Sequence, residues 1–243
     1  MYGPGMAELY DLLHEARGKD YRAEAATVAG LVRARSPRAA TLLDVACGTG
    51  AHLRHFAELF DKVEGLELSE AMMARARAAA PGAVLHGGDM RDLALGRSYD
   101  AITCMFGSIA YLEDTAELAS TLRSFAEHLA PGGVVAVDPW WFLETSLEHH
   151  VSGDTVTVGR RTMTRVSYSE REGRTSHMVV HYVVAEPGSG VQHFAERHTL
   201  TLFTRAEYEE AFTRAGLDVV YVGGIQSGRG LFLADRGGRA ARG

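Results

Sequence analysis

The chain has 243 residues, a formal net charge of −6 and two cysteines. It contains no basic run, which argues against a nucleic-acid partner, and Cys47 and Cys104 form neither a disulfide framework nor a CxxC metal site, so no metal is expected. The sequence also shows no apolar run of membrane length and no signal-like start, so we expect a cytoplasmic protein without a membrane partner.

Two amphipathic helices are predicted ahead of the first strand. Residues 7–16 place Leu9, Leu12 and Leu13 on one side, and Asp20 can cap a second helix that stops before Pro37. Tyrosines recur through this region, and both helix packing and ligand contact are compatible with their positions: Tyr2, Tyr10 and Tyr21.

Residues 41–50 predict a buried parallel strand, with Asp44 inside it, that ends in a Gly-x-Gly turn. A helix over residues 51–60 should follow. Leu53 stands where a dinucleotide fingerprint needs a third glycine, and no P-loop Lys and Ser/Thr follow Gly50. The turn therefore favours a small cofactor without phosphate, lying over Gly48 and Gly50.

Acidic residues lie at or just after the ends of the next two predicted strands, at 62–68 and 83–86. Glu67 ends the first of them, where α/β folds place a carboxylate that accepts hydrogen bonds from the ribose hydroxyls. After the second, Asp89 could accept from an adenine amine while Met90 packs on the ring. The alternative for each carboxylate is that it caps a helix.

The remaining core pattern predicts a strand at 99–106, a helix from 115 to Leu129 closed by Pro131-Gly132-Gly133, and a strand at 133–138. Ligands of open α/β sheets bind beyond the carboxyl ends of the strands. The residues expected around one crevice are therefore Ala46, Glu67, Asp89, Met105 and Pro139.

From residue 154 to residue 202 apolar and polar residues alternate, which predicts an antiparallel insert. A helix at 204–215 and a hairpin of 217–222 with 230–233 should follow it. His149 and His150 are expected in a loop, and His181 and His198 are interpreted as structural or solvated. The predicted divisions are 1–139 for the N-terminal helices and α/β core, 140–202 for the insert, 203–235 for the last helix and hairpin, and 236–243 for a tail.

The motif Asp44-x-Ala46-Cys47-Gly48-Thr49-Gly50, together with Glu67 and Gly88-Asp89-Met90, resembles the S-adenosylmethionine-dependent methyltransferases. This resemblance implies the Rossmann-like class I α/β fold, with a mostly parallel sheet and helices on both faces. The antiparallel β insert would be an addition to that fold.

The outer segments carry a more specific resemblance. Ala7-Glu8-Leu9-Tyr10-Asp11, Gly18-Lys19-Asp20-Tyr21, Pro139-Trp140-Trp141-Phe142 and Ser227-Gly228-Arg229-Gly230-Leu231-Phe232 are similar to the N-methyltransferases that dimethylate TDP-linked 3-amino-3,6-dideoxyhexoses for antibiotic sugars. The resemblance covers nearly the whole chain. It implies a homodimer that acts on a TDP-linked amino sugar.

The residues expected at the cofactor, from the glycine turn and from this resemblance, are Tyr10, Tyr21, Asp44, Ala46, Gly48, Gly50, Glu67, Leu68, Asp89, Met90 and Met105. Those that the resemblance places near the nucleotide sugar are Tyr2, Trp141, Arg165 and Arg229. Tyr111 stands where some relatives carry a histidine near the amine.

A sulfonium methyl group is already a strong electrophile, so such an enzyme must mainly hold a neutral amine in line with it and exclude water. We therefore expect Tyr111 and Tyr2 to orient the amine, without a strong general base. Two alternatives stay open from the sequence: methylation of a hydroxyl or carboxyl of a small natural product, and a cofactor-binding subunit without catalysis.

Overall fold

The computed structural model describes residues 4–237, with side chains from residue 9 onward. The helices are α1 (Pro4–Ala16), α2 (Tyr21–Arg35), α3 (Leu53–Phe56), α4 (Glu70–Ala79), α5 (Thr115–Glu127) and α6 (Arg205–Arg214), with short 3-10 helices at Met90–Asp92 and Ser108–Tyr111. The strands are β1 (Thr41–Val45), β2 (Lys62–Glu67), β3 (Val84–Gly87), β4 (Tyr99–Cys104), β5 (Leu129–Val137), β6 (His149–Val158), β7 (Arg161–Glu172), β8 (Thr175–Glu186), β9 (Gly190–Thr201), β10 (Asp218–Val222) and β11 (Leu231–Asp235).

The core is a seven-stranded sheet in the order β10-β11-β5-β4-β1-β2-β3. Strands β1 to β5 run parallel, while β11 is antiparallel to both of its neighbours. The strand order reverses between β1 and β4, and ligand crevices of doubly wound sheets open at such a reversal. The predicted α/β fold of the methyltransferase class is confirmed.

Helices cover both faces of this sheet, because the side chains of each strand alternate between them. Leu42 of β1 packs with apolar residues of α2 and α3 on one face. Leu43 and Val45 pack with residues of α5 and α6 on the other face. The central strands β1 and β4 are thus buried on both sides, whereas the edge strand β3 stays partly exposed.

The insert forms a separate four-stranded antiparallel sheet in the order β6-β7-β8-β9. Its inner face packs against α1, where Leu9 and Leu13 contact Met163, Val180 and Tyr182. Its outer face exposes apolar side chains: Val151, Val166, Tyr168, Val183 and Val191. The antiparallel insert is therefore confirmed, and α1 links it to the core.

Some predicted boundaries are wrong. The helix after the glycine turn is regular only over Leu53–Phe56, with turns on either side. Helix α5 ends at Glu127, and Leu129 already begins β5, so the Pro-Gly-Gly stretch lies inside a strand and not at a helix end. That stretch makes an irregularity in β5, because the register with β4 shifts between Tyr99 and Ala101.

His149 and His150 open strand β6 and do not lie in a loop. The strand begins before the alternating pattern becomes visible, because its first residues are exposed and carry no apolar signal. Within residues 4–237, no helix is both long and apolar enough to cross a membrane.

Candidate active site

A cavity of about 490 Å³ lies beyond the carboxyl ends of β1, β2 and β4. The strand ends supply Asp44, Glu67 and Met105 to its wall, α1 supplies Tyr10, and the insert supplies Arg165. The α/β core and the insert together therefore enclose one space.

The glycine turn forms the floor of this cavity. Ala46 has a positive φ of 55° and Gly48 a φ of 59°, so the backbone turns sharply at the end of β1. The Gly48 N–H donates to the Glu67 carboxylate at 2.9 Å. The Thr49 hydroxyl donates to Asp11 at 2.6 Å, which ties α1 to the turn.

The two glycines of the motif have different surroundings. A Cβ at Gly48 would meet no atom within 4 Å, and Gly48 lines the cavity. A Cβ at Gly50 would lie 2.9 Å from the Cα of Ala76 in α4. Gly50 is not among the lining residues, so close packing of α4 explains it, whereas the predicted cofactor contact does not.

Asp44 is buried at the base of the cavity and accepts a hydrogen bond from the Thr103 hydroxyl at 2.7 Å. Burial raises the pKa of this carboxyl to about 7, even though the Thr103 hydrogen bond lowers it. A cationic group in the cavity would offset that burial and hold Asp44 in its ionised form.

Glu67 and Asp89 both line the cavity, and both also hold local backbone. Glu67 accepts from the Ser69 N–H at 2.8 Å, in addition to Gly48. Asp89 caps the short helix at Met90–Asp92 and pairs with Arg91 at 2.7 Å. The hydrogen bond from Arg91 lowers the pKa of Asp89, so this carboxylate is ionised. Capping and ligand contact are therefore compatible for both residues.

Tyr21, at the start of α2, is almost fully buried and lines the cavity. Its hydroxyl has no hydrogen-bond partner among residues 4–237. Because a buried hydroxyl without a partner is costly, this atom indicates a polar ligand group beside it. Neighbouring Lys19 does not supply the bond, since its ammonium is bound to Glu24 at 2.7 Å.

Three features of this half of the cavity fit S-adenosylmethionine. The Glu67 carboxylate suits a ribose diol, the Tyr21 hydroxyl awaits a polar partner, and Leu68 and Met90 offer apolar surface for an adenine ring. Asp44 could face the amino group of the methionine part.

The end of β4 forms the middle of the cavity wall. Met105 is buried there, and Phe106 has a positive φ of 59°, an uncommon conformation for a residue other than glycine. A Cβ at Gly107 would lie 2.8 Å from the Trp140 ring, so the strand end and Trp140 pack tightly. Strained backbone at two neighbouring strand ends, Ala46 and Phe106, is typical of a functional crevice.

The insert supplies a polar wall opposite the cofactor half. Arg165 donates to the Ser167 hydroxyl at 2.9 Å, while its buried Nε has no hydrogen-bond partner among residues 4–237. Tyr111 and His198 face each other, with the tyrosine oxygen 2.8 Å from the histidine Nδ1. All three residues line the cavity.

Some residues predicted for the site lie elsewhere. Trp141 is half exposed and is not a lining residue, and its neighbour Trp140 takes that position. Arg229 is buried, donates to the Pro139 carbonyl at 3.0 Å and pairs with Asp138 at 3.1 Å. It would have to leave Asp138 to bind a pyrophosphate. Tyr2 lies outside the described residues.

Sequence reasoning did not select several lining residues: His14, Trp140, Tyr182 and His198. Burial, followed by the charges of Arg17 and Arg165, lowers the pKa of His14 to about 3, so its ring is neutral at pH 7. The one available signal was the alternation in the insert, which puts Tyr182 and His198 on the same sheet face. No group of three or more metal-ligating side chains occurs within the described part of the chain.

The known proteins that are similar to this chain are methyltransferases. The family described as "Methyltransferase domain" matches residues 42–133. The chain is 56% identical to the dTDP-3-amino-3,4,6-trideoxy-alpha-D-glucopyranose N,N-dimethyltransferase of Streptomyces venezuelae over 96% of this chain and 98% of that protein. It is 57% identical to the dTDP-3-amino-3,6-dideoxy-alpha-D-glucopyranose N,N-dimethyltransferase of Streptomyces fradiae over 95% and 91%.

Among solved structures, S-adenosylmethionine-bound CalS10, an amino pentose methyltransferase from Micromonospora echinaspora, superimposes with a TM-score of 0.88. That pair shares 47% identity and covers 94% of this chain and 96% of the other. The cofactor of this chain is S-adenosylmethionine. The chain belongs to the family of S-adenosylmethionine-dependent N,N-dimethyltransferases of dTDP-linked amino sugars.

Proposed function

We propose that this enzyme methylates the amino group of a dTDP-linked amino-deoxyhexose, giving a dimethylamino sugar for antibiotic biosynthesis. One observation carries the proposal: the similarity to sugar N,N-dimethyltransferases extends over 96% of the chain. It therefore includes the insert, which forms the half of the cavity opposite the cofactor residues. A likeness limited to residues 42–133 would have supported the cofactor alone.

The charges around the cavity support an anionic substrate. The protein has a net charge of −6, so a nucleotide diphosphate needs local cations. Arg165 lies in the cavity wall with a buried Nε that lacks a partner among the described residues, and a phosphate or hydroxyl oxygen would satisfy that donor. We assign Arg165 to the nucleotide sugar.

When bound, S-adenosylmethionine would supply an electrophilic methyl group on its sulfonium sulfur, which the lone pair of the substrate amine would accept as the C–S bond electrons stayed on sulfur. The protein then has to orient the amine and to exclude water. Tyr111 stands at the junction of the core and the insert, so its hydroxyl is suited to orient the amine. Met178 and Val180 of the insert add apolar cover.

Product analysis tests this function directly. The purified protein would be incubated with S-adenosylmethionine and a panel of dTDP-3-amino and dTDP-4-amino deoxyhexoses. We expect mass spectrometry to show one and then two added methyl groups, with matching formation of S-adenosylhomocysteine. Small hydroxyl or carboxyl acceptors belong in the same panel, and methylation of those alone would refute N-methylation of an amino sugar.

We also propose that two copies pair through the outer face of the insert sheet. Val151 and Val191 are 71% and 74% exposed there, and neighbouring Val166 and Val183 extend the apolar surface. A patch of this kind on a soluble protein marks an association surface. Sedimentation should show a dimer at micromolar concentration, and Val166→Lys should convert it to a monomer. A parent protein that sediments as a monomer would reject this interface.

We place the enzyme in the cytoplasm, because both cysteines, Cys47 and Cys104, are buried free thiols. Such thiols persist in a reducing compartment. Fractionation of producing cells, with the enzyme recovered in the soluble cytoplasmic fraction, would test this placement.

A further inference from the structure

Tyr111 reaches across the cavity wall to a buried histidine of the insert. Its oxygen lies 2.8 Å from Nδ1 of His198, although the two residues are 87 positions apart in the chain. Tyr111 ends the short helix after β4, while His198 lies on β9. Both line the cavity, so the pair joins the core to the insert beside the proposed amine position.

A carboxylate stands behind the histidine. Nε2 of His198 lies 3.7 Å from Oε2 of Glu196, and the two side chains are 7% and 8% exposed. Neither oxygen of Glu196 has a hydrogen bond of ordinary geometry within residues 4–237. Tyr182 lies near Glu196. Burial is the main cause that raises the pKa of Tyr182 to about 12, and the charge of Glu196 is the second.

A buried carboxylate without hydrogen bonds destabilises the folded protein, because it has lost its hydrating water and gained no full replacement. Packing alone would favour an apolar residue at position 196. Retaining an acid there makes physical sense when the neighbouring imidazole gains a positive charge during the reaction, since the carboxylate then stabilises the imidazolium.

One tautomer of His198 suits both of its neighbours. With the proton on Nε2, which lies 3.7 Å from Oε2 of Glu196, Nδ1 presents its lone pair to the Tyr111 hydroxyl, which then donates to it. This is the arrangement in which a second proton can be accepted through Tyr111.

We propose that Tyr111, His198 and Glu196 form a proton relay that deprotonates the substrate ammonium before each methyl transfer. The inference rests on the proposed amino-sugar function. One ammonium N–H bond breaks and its proton passes to the Tyr111 oxygen, while the hydroxyl proton of Tyr111 passes to Nδ1 of His198. Glu196 stabilises the imidazolium, and the reverse transfer through Tyr111 returns the proton to cavity water after the product leaves.

His198 and Glu196 are positioning residues in this scheme, because they act through Tyr111. Other titratable or charged groups also line the cavity around the pair, and the test must keep them unchanged: Arg165 from β7, Tyr182 from β8, Arg197 from β9 and Glu113 after the short helix.

The first test compares His198→Asn, His198→Ala and Glu196→Gln at saturating cofactor. Asparagine can still accept from Tyr111 but cannot take up a proton, so kcat should fall about tenfold or more while KM for the sugar changes less than about threefold. Added imidazole should restore part of the kcat of His198→Ala. Glu196→Gln should lower kcat as well.

His177→Asn is the matched control, because His177 lies half exposed on the opposite face of the same sheet. It should keep the parent kcat and gain nothing from imidazole. Thermal melting and S-adenosylhomocysteine binding show whether each variant is folded. A folded His198→Asn with the parent kcat, or a folded His198→Ala that imidazole does not rescue, would overturn the relay.

A second measurement needs no substrate. Nitrogen-15 spectra of the parent and of Tyr111→Phe should show that His198 is the Nε2–H tautomer and that its Nδ1 signal shifts when the hydroxyl is removed. A proton on Nδ1 in the neutral ring would refute the relay whatever the turnover. If no amino sugar is methylated by the parent, the proposed function fails, and the spectra still decide on the relay.

Discussion

The guanidinium of Arg229 is paired with the carboxylate of Asp138, with Nη2 and Oδ2 3.1 Å apart and both side chains buried. The pair joins the turn before β11 to the end of β5, next to the cavity. Burial raises the pKa of Asp138 to about 6 even though Arg229 lowers it, so the carboxylate depends on its partner.

Arg229→Ala should therefore reduce the free energy of unfolding by about 3–5 kcal/mol, because it leaves a buried carboxylate without its counter-charge. The double variant Arg229→Ala with Asp138→Asn should recover a large part of that loss, since asparagine can still accept from the Phe106 N–H. Urea unfolding of the two variants measures the difference. Equal stability of Arg229→Ala and the parent would contradict this role of the pair.

The buried carboxyl group of Asp44 should make the stability of the folded protein depend on pH. Its pKa is about 7 in the folded protein and near 3.8 in the unfolded chain, so the folded state holds the proton between these values. Stability of the cofactor-free enzyme should fall as pH rises from 4 to 7. Asp44→Asn should therefore stabilise it by up to about 4 kcal/mol at pH 8 and by about 1–2 kcal/mol at pH 5.

The matched control is Asp100→Asn. Asp100 accepts backbone hydrogen bonds from Ala40 and Thr41, and these outweigh burial and lower its pKa. Its contribution to stability is present above the unfolded pKa and is lost in acid, so the control should be destabilised at pH 8. Chemical unfolding at the two pH values checks both signs. A gain for Asp44→Asn that is independent of pH would show that titration is not its cause.

The sequence predicted the elements whose signals are local. Strand β1 with its glycine turn and the alternating strands of the insert follow from apolar periodicity over short windows. The same windows cannot show contacts between distant segments. Tyr111 and His198 meet only because the insert folds back over the core, so His198 was interpreted as structural or solvated although it lies in the cavity.

The sequence also does not show which of two adjacent residues of the same type faces the cavity. Trp140 and Trp141 lie in an irregular segment, where no period decides which ring faces the cavity. Arg229 was expected near the nucleotide sugar from the family resemblance, but the sequence does not reveal that Asp138 is buried beside it. The partner was hidden by 91 positions of separation in the chain.

Glu67 should contribute directly to cofactor affinity. Glu67→Ala removes an acceptor for the ribose hydroxyls and also frees the amides of Gly48 and Ser69, so S-adenosylmethionine binding should weaken by about 1.5–3 kcal/mol. Glu67→Gln should lose less, because it retains one carbonyl oxygen. Titration calorimetry measures both, with Glu70→Ala, an exposed first-turn residue of α4, as the control. Parent affinity in a folded Glu67→Ala would remove Glu67 from the site.

The two glycines of the turn give the sharpest contrast, because both have positive φ, 59° at Gly48 and 80° at Gly50. Alanine at either position therefore meets a similar backbone penalty, of about 1–2 kcal/mol. Only at Gly50 does the new Cβ also collide with α4, at 2.9 Å from the Ala76 Cα. Gly50→Ala should therefore be less stable than Gly48→Ala by about 1–3 kcal/mol.

Cofactor binding should rank the same two variants in reverse. The Cβ of Gly48→Ala would project where no described atom lies within 4 Å, into space that the cavity leaves for the ligand. We expect its affinity for S-adenosylmethionine to fall about tenfold, corresponding to about 1.4 kcal/mol, and Gly48→Val to lose more. Folded Gly50→Ala should keep nearly the parent affinity. Urea unfolding and calorimetry on the same preparations separate the two effects. If Gly48→Ala bound normally while Gly50→Ala did not, the cofactor would lie over the second glycine, because contact with the bare backbone is what distinguishes these positions.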